Sequence, residues 1–375
     1  MLKKVTAVLV LLCVALMGTL SPVSVFMRTW PVLLFLLIMT AVSAVLDQHG
    51  VFDGVAAWLV RRTDGRPALA FGFLCFVVTT ILSLDTTIVL LTPVALTLAK
   101  RGRVSALPYL FITVWVANTG SLLLPVSNLT NLLAQQEAGL TAIEFMAVMA
   151  LPQLFVLVVV ALVFVLFFRK QVVPVSAFTA PPVRFTPYAL AIGAFTVAIL
   201  LGVAPWIASF ALLAILLAIR PVPFVRSLPW TMALFALALF ILMDGISMDV
   251  LAPLIELPPF TQQVAFAAAG AGLANLTNNL PAYLALETMA PTVPLLIGVN
   301  AGPLITPWAS LANLLWMTLA AAKGVRIPLR LFIASGLVLV PLVIVAGCFS
   351  ANEEIISMSL SPDCGSVPTV RSPTD

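Results

Sequence analysis

A single carboxylate within a long apolar stretch is the first residue in this chain with clear chemical potential. Asp85 stands in "ILSLDTTIVLLTPVAL", followed directly by Thr86 and Thr87. Acidic residues inside apolar segments are rare and usually functional, as proton carriers, cation ligands or partners for a substrate hydroxyl. The alternative interpretation is a solvated turn between two full membrane spans. We expect the functional role and count these three residues as candidate binding residues.

A second polar stretch, "NTGSLLLPVSNLTNLL" at 118–133, aligns without a gap on "NAGPLITPWASLANLL" at 300–315. Eight of the sixteen positions are identical, where a Leu-rich composition gives about two by chance. Gly and Pro break helices, and non-helical backbone at membrane depth is tolerated only inside protein or beside a cavity. We therefore predict two discontinuous helices with binding groups at their breaks. The candidates are Asn118, Thr119, Gly120, Ser127, Asn128 and Thr130 in the first copy, and Asn300, Gly302, Thr306 and Ser310 in the second.

A third polar cluster occurs in "ANLTNNLPAY", at 274–283. Its candidate binding residues are Asn275, Thr277, Asn278 and Asn279. Asn and Thr before a Pro also cap helices, but four such side chains exceed what one cap needs. For Asn131 and Asn313, which follow the two predicted breaks, we expect hydrogen bonds between helices instead.

The composition indicates that these elements lie in a membrane. Hydrophobic residues make up 62% of the 375 positions and charged residues 9%, against about 25% charged residues in soluble domains. Each span needs about 20 apolar residues, and the need to satisfy backbone hydrogen bonds in lipid makes the spans helical. Four Cys and one His show no ligand spacing, so we predict neither a metal site nor a cofactor.

The placement of charge predicts the topology. Basic clusters recur at 61–66, 100–103 and 323–330, and positively charged loops stay in the cytoplasm. The N-terminus is then cytoplasmic, and the broken stretches 68–99 and 260–289 become helical hairpins that open to opposite sides. Such inverted repeats are typical of secondary transporters. The prediction is an all-α polytopic membrane protein with two inverted-topology repeats, each with a helical hairpin and a discontinuous transmembrane helix.

These boundaries divide the chain into five parts. They are an N-terminal transmembrane helix at 1–29; repeat 1 at 30–171, with hairpin 68–99 and broken helix 107–133; a linker with connecting helices at 172–228; repeat 2 at 229–349, with hairpin 260–289 and broken helix 294–322; and a disordered tail at 350–375.

With these motifs the chain resembles the bacterial arsenite permeases, the membrane component of arsenical efflux, within the wider ion transporter superfamily. The likeness rests on "LDQHGVF", "LDTTIVLLTPVAL", "VSNLTNLL", "FRKQV", "LPWTMALFALALFI", "TNNLPA" and "GPLITPWASLANLLW". It implies two inverted repeats with hairpins, and export of arsenite or antimonite driven by proton exchange or by a separate ATPase subunit. Three ionisable groups of the family pattern are neutral here, since Asn118 replaces an Asp and "NAGPL" replaces Asp-Leu-Gly-Pro-Lys.

The functional prediction is a secondary transporter in the cell membrane that exports arsenite or antimonite by proton-coupled exchange. The alternative is cation-coupled transport of a carboxylate or another anion by the same fold, with the anion held at helix N-termini. A membrane enzyme is disfavoured, because no His-rich, Cys-rich or paired-acid motif occurs, and the absence of a phosphate-binding loop argues against ATP hydrolysis by the chain itself. The expected partners are a small inorganic oxyacid or anion, a proton or sodium ion, the lipid bilayer, a separate ATPase subunit and a second copy in a homodimer; nucleic acid is not among them.

Overall fold

The computed structural model describes residues 22–51, 62–63, 67–172, 185–224, 228, 230–243 and 249–351, and within these ranges the regular structure is entirely helical. Residues 1–21 of the predicted N-terminal helix and residues 352–375 of the predicted tail lie outside the described residues, and residues 22–29 belong to a helix that continues through the predicted boundary at 29/30. Fourteen α-helices occur in the described ranges. They are α1 Pro22–Gln48, α2 Pro67–Ile81, α3 Leu84–Gly102, α4 Leu107–Thr119, α5 Leu129–Glu137, α6 Ala142–Phe168, α7 Phe185–Leu200, α8 Pro205–Ile219, α9 Trp230–Met243, α10 Pro259–Leu276, α11 Asn279–Leu286, α12 Thr292–Ala301, α13 Leu311–Ala322 and α14 Leu329–Ser350.

Three of these helices contain stretches long and apolar enough to cross a membrane. They are α6 with 27 residues, α14 with 22 residues, and the segment Thr29–Leu46 of α1. Several others, such as α2, α4 and α8, are apolar but shorter. Apolar side chains on the outer faces of α6 and α14, Leu162 and Leu337 among them, are exposed. In so apolar a chain this surface faces lipid, and the molecule is a membrane-embedded helical protein.

Short helices come in pairs where the sequence predicts interruptions. The stretch 68–99 contains α2 and α3, joined by a turn at Leu82 and Ser83, and the stretch 260–289 contains α10 and α11, joined at Thr277 and Asn278. The α4 helix ends at Thr119, and α5 begins at Leu129 after a 3-10 turn. The chain from α12 to α13 is interrupted in the same way, by the 3-10 turns Gly302–Leu304 and Pro307–Ala309.

Two groups of helices are evident from the packing. In one group α2 packs on α4 and α10 packs on α12, while α6 lies along α14. In the other, α1 packs against α8 and α9, and α7 packs against α8. Contacts of α1 with α3 and α5, and of α9 with α11, join the groups. The two interrupted helices therefore lie in the same group as both hairpins.

Small residues allow the hairpin of the second half to approach its interrupted helix closely. A Cβ atom on Gly298 of α12 would overlap the backbone carbonyl of Ala267 in α10. A Cβ atom on Gly302 would lie 2.7 Å from Cα of Ala271. Glycine at helix contacts in membranes permits this kind of backbone approach, and here it brings α10 against the break after α12.

Candidate functional site

The first hairpin turn is held by its own hydroxyl groups. Ser83 caps α3, and its Oγ accepts a hydrogen bond of 3.1 Å from the backbone N–H of Thr86. The Thr87 hydroxyl donates to the Ser83 carbonyl at 3.1 Å and lies 2.8 Å from the Thr79 hydroxyl. The side chains of Thr86 and Thr87 are buried. Thr86 and Thr87 therefore shape the turn that presents Asp85.

Asp85 itself lies in the first turn of α3 and is partly exposed. Among the described residues its carboxylate has neither a hydrogen-bond donor nor an ion pair. The position at a helix N-terminus favours a negative charge. No described partner has to be displaced before the carboxylate takes a proton or a cation.

The first helix break is stabilised by a glutamine from another helix. The Gln153 side chain of α6 accepts a hydrogen bond from the Leu122 N–H and donates one to the Thr119 carbonyl, each at 3.0 Å. These are backbone groups that the interruption of α4 leaves unpaired, and unpaired backbone groups are costly in lipid. Sequence reasoning missed Gln153, although a lone amide in a 27-residue apolar helix was a usable signal.

In the first half, the hairpin end is bonded to the break of the same half. The Thr80 hydroxyl donates to the Gly120 carbonyl at 3.4 Å, and the Ser127 hydroxyl donates to the Thr80 carbonyl at 3.0 Å. Thr80 and Ser127 are buried. A movement of this hairpin therefore either disrupts these hydrogen bonds or moves the interruption between α4 and α5 together with the hairpin.

The second half shows the same arrangement with different side chains. The Asn275 amide donates to the Gly302 carbonyl at 2.8 Å, and its Oδ1 accepts from the Thr306 hydroxyl at 2.6 Å. The Trp308 indole N–H donates to the Asn275 carbonyl at 3.0 Å. Asn275 stands two residues before the turn residue Thr277, as Thr80 stands two residues before Leu82. Each hairpin end thus contacts its own break.

The two breaks meet in a buried cluster of amide side chains, which we call the amide cluster. Its members are Asn118, Asn128, Thr130, Asn131, Asn300 and Asn313, all at most 6% exposed. The Asn118 amide donates to Asn313 Oδ1 at 3.0 Å, and the Asn300 amide donates to Asn131 Oδ1 at 3.4 Å. Asn300 Oδ1 in turn accepts from the Asn128 amide and, at 3.4 Å, from the Thr130 hydroxyl. The cluster joins α4, α5, α12 and α13.

Four candidate residues lie outside these networks. Thr277 is exposed and donates locally to the Leu273 carbonyl at 2.9 Å. Asn278 and Asn279 are buried at the second hairpin turn, yet their side chains form no hydrogen bond within the described structure. The backbone of Asn278 has φ of 147°, which an L-residue rarely adopts. Ser310, at the N-terminus of α13, is buried and likewise forms no side-chain capping bond.

The chemistry of the amide cluster is neutral. Its side chains are amides and a hydroxyl, which offer both donors and acceptors and carry no charge. No group of His, Cys, Asp or Glu residues in the described part of the chain is arranged to hold a metal ion. Such a cluster suits a small polar solute better than a strongly charged one, because burying an unpaired charge is costly.

A separate surface cleft of about 330 Å³ lies between the α5–α6 turn and the α7–α8 turn. Gln135, Gly139, Gly202 and Pro205 are among its lining residues. None of the candidate residues lines it. The cleft is therefore distinct from the amide cluster.

Known proteins resemble this chain, some of them over most of its length. The family model of citrate transporters, CitMHS, matches residues 1–312. The chain is 26% identical over 344 residues to an arsenical pump membrane protein of Escherichia coli, and the match covers 80% of each chain. The arsenical pump membrane protein of Escherichia coli strain K12 is 25% identical over 345 residues, again with 80% of each chain covered. An uncharacterized transporter of Mycobacterium tuberculosis is 35% identical over 133 residues, which are 34% of this chain and 31% of that protein. The chain therefore belongs to the citrate transporter family, CitMHS, and is a membrane transporter related to the arsenical pump membrane proteins.

Proposed function

We propose that the protein is a secondary active transporter that exports arsenite or antimonite in exchange for protons. The observation that carries the proposal is the amide cluster, where two interrupted helices bring neutral donors and acceptors together in a buried place. A neutral oxyacid such as arsenous acid needs hydrogen-bond partners and no counter-charge. The similarity to the arsenical pump membrane proteins supports this choice of solute.

We also propose that the two halves are inverted-topology repeats. The sequence alignment pairs residue 118 with residue 300, and the hydrogen bonds of the breaks follow the same pairing. The Asn131 amide donates to the Ser121 carbonyl at 2.6 Å, and the Asn313 amide donates to the equivalent Pro303 carbonyl at 2.7 Å. The bond from Asn118 to Asn313 has its counterpart in the bond from Asn300 to Asn131. Reciprocal contacts of this kind are what a two-fold relation produces.

Proton coupling is assigned to Asp85. It is a carboxylate in the hairpin region with no partner among the described residues, so a proton or a competing cation can reach it without breaking an ion pair. A group that gains and loses a proton as its surroundings change is what exchange requires. Sodium held by backbone carbonyls is the alternative coupling ion.

The second candidate function is cation-coupled transport of citrate or another carboxylate. The match to the citrate transporter family favours it. The N-termini of α5 and α13 both begin in the breaks, at Asn128 and Ser310. Helix N-termini attract anions through their free N–H groups and the helix dipole. A carboxylate solute would be held by these helix N-termini, which would take the role that a lysine or arginine side chain has in other anion sites.

The orientation in the cell membrane is part of the proposal. The N-terminus and the loops at 61–66, 100–103 and 323–330 are assigned to the cytoplasm, because these loops carry the basic residues. Labelling of single Cys residues at positions 62 and 102, in a Cys-free background, tests this assignment. Both positions are expected to react from the cytoplasmic face, and labelling from opposite faces contradicts the hairpin between them.

Uptake into everted membrane vesicles tests the function. Arsenite and citrate are offered to vesicles with the protein and to vesicles without it, each with and without a pH gradient. Arsenite accumulation that depends on the protein and collapses with an uncoupler supports proton-coupled export. Citrate accumulation without arsenite accumulation favours the second function. Arsenite accumulation that survives the uncoupler but requires ATP indicates a separate ATPase subunit.

A further inference from the structure

The two halves differ at two pairs of equivalent positions beside the breaks, 128 with 310 and 130 with 312. Asn300 Oδ1 accepts hydrogen bonds from Asn128 and Thr130, which follow the first break. The equivalent positions after the second break, counted by the same alignment, hold Ser310 and Ala312. Neither residue donates a side-chain hydrogen bond to Asn118, the counterpart of Asn300. The second break therefore lacks the donors that the first break supplies.

Two buried residues, Asn118 and Ser310, each have a side-chain oxygen without a hydrogen-bond partner in the described structure. Within the described structure, Asn118 Oδ1 accepts no hydrogen bond, although the Asn118 amide donates to the Val114 carbonyl at 2.8 Å and to Asn313 at 3.0 Å. The Ser310 hydroxyl forms no hydrogen bond there either, and Ser310 is only 2% exposed. A buried polar group without a partner costs about 1–3 kcal/mol. Native proteins rarely leave such groups without a role.

The side chains on the Asn118 side are smaller than those at the equivalent positions on the Asn300 side. Serine lacks the amide group of an asparagine, and alanine lacks both the hydroxyl and the methyl group that threonine carries. In the related half these groups occupy the surroundings of Asn300 Oδ1. Their absence at Ser310 and Ala312 removes both the hydrogen-bond donors and the volume on the Asn118 side.

We propose that a single solute with O–H donors binds on the Asn118 side of the amide cluster, between Asn118 Oδ1 and Ser310 Oγ, in the space that Ser310 and Ala312 leave open. The equivalent place on the Asn300 side is filled by Asn128 and Thr130 and takes no solute. The transporter then carries one solute per cycle although its fold is repeated. This inference rests on the proposed function, because it locates the transported solute. The inference states where the solute binds, and it does not require that the solute be arsenite.

Refilling the space tests the proposal. The double substitution Ser310→Asn and Ala312→Thr gives the second break the side chains of the first. Protein-dependent uptake of arsenite into everted vesicles is expected to fall at least tenfold, while the purified variant keeps the monodisperse elution and melting temperature of the wild type. Ser105→Asn, the same kind of change at an exposed position in the α3–α4 loop, is the control and is expected to transport normally. Wild-type uptake by the refilled variant overturns the proposal.

A second variant decides the matter if the refilled protein does not fold. Ser310→Ala removes the hydroxyl without adding volume, so the fold is retained. The KM for arsenite is expected to rise about tenfold, the equivalent of one lost hydrogen bond worth roughly 1.4 kcal/mol. An unchanged KM overturns the proposal. Protection of Ser310→Cys from a thiol reagent by sodium alone, with none by arsenite, also overturns it, because the space then holds the coupling ion.

Failure of the proposed substrate can be told apart from failure of the site. If wild-type vesicles accumulate citrate and not arsenite, the proposed export of arsenite is wrong. The same variants are then measured with citrate. Loss of citrate uptake in the refilled variant keeps the site on the Asn118 side. Normal citrate uptake in that variant shows that the proposed site on the Asn118 side is wrong as well.

Discussion

The side chain of Asn118 donates a hydrogen bond of 3.0 Å to Asn313, which lies 195 residues further along the chain. The bond connects the end of α4 to α13, and the equivalent bond from Asn300 to Asn131 connects α12 to α5. Because both bonds cross from one half to the other at the breaks, a displacement of one break strains the other. Alternating access moves one repeat or bundle against another, so such a movement has to break these two bonds or displace both breaks together.

A double-mutant cycle measures this connection. Asn118→Ala leaves Asn313 Oδ1 buried without this donor, and the free energy of unfolding is expected to fall by about 1–3 kcal/mol. Asn313→Ala is expected to have a similar effect, and the double variant should lose clearly less than the sum, since residues in contact are not additive. Reversible unfolding in detergent micelles gives the three values. Strict additivity would show that the two amides do not interact.

The close contact between α10 and α12 predicts a strong effect of one methyl group. Gly298→Ala places a Cβ atom against the Ala267 carbonyl, which is backbone and cannot move aside alone. We expect loss of most folded protein, measured as monodisperse yield and melting temperature. Gly272→Ala in α10 is the control, because a Cβ atom there meets nothing within 4 Å. Equal yields for the two variants would contradict the packing described for these helices.

His49 predicts a dependence of stability on pH. Its Nε2 lies 3.2 Å from the Arg220 carbonyl, so Nε2 carries the proton and donates, while the ring packs on Tyr188 at 5.1 Å between centroids. Nδ1 is buried without a partner in the described structure. Burial lowers the pKa of His49 below its usual 6.5, the hydrogen bond to the Arg220 carbonyl opposes this shift, and the Arg220 charge adds to it.

The sign of the effect follows from proton linkage. A histidine with a lowered pKa in the folded state is protonated first in the unfolded chain, so stability falls as the pH drops below about 6.5 and is unaffected above it. The melting temperature of the wild type should therefore decrease more between pH 7 and pH 5.5 than that of His49→Gln. The glutamine keeps an N–H donor and does not titrate. A parallel pH dependence in the two proteins would mean that His49 does not contribute.

Asp85 carries the proposed coupling, and Asp85→Asn separates coupling from binding. Asparagine keeps the shape and some hydrogen bonds but cannot exchange a proton. We expect folded protein that still performs gradient-free counterflow, with accumulation driven by a pH gradient reduced at least tenfold. Glu256→Gln, which neutralises an exposed carboxylate, is the control and should accumulate solute normally. Accumulation by Asp85→Asn at the wild-type rate would assign coupling to sodium or to another acid.

The repeat in the sequence located the helix interruptions because Gly and Pro act locally. The α4 helix ends at Thr119 and α12 ends at Ala301, while α5 begins at Leu129 and α13 begins at Leu311. These are equivalent positions in the alignment. The expectation that Asn131 and Asn313 form hydrogen bonds between helices agrees with the structure. Local chain chemistry is therefore sufficient to place the breaks.

Pairings between distant segments were beyond sequence reasoning. The role of Gln153 depends on backbone groups of Thr119 and Leu122 that only the folded break exposes. The partners of Asn300 likewise come from the other half, through the packing of α12 near α5. A pattern of residue types predicts that polar groups are needed at such a place, but tertiary packing decides which donor meets which acceptor. The assignment of individual side chains to a solute remains a prediction.

Accumulation of arsenite by the purified protein in proteoliposomes tests the central claim most directly. Vesicles with the protein, vesicles without it and vesicles with Asp85→Asn receive radiolabelled arsenite while a pH gradient is imposed, and internal solute is followed over time. The account predicts that only the wild type concentrates arsenite above the external level, and that collapse of the gradient releases it. Equal arsenite levels in protein-containing and empty vesicles, under a gradient that persists, would contradict the claim.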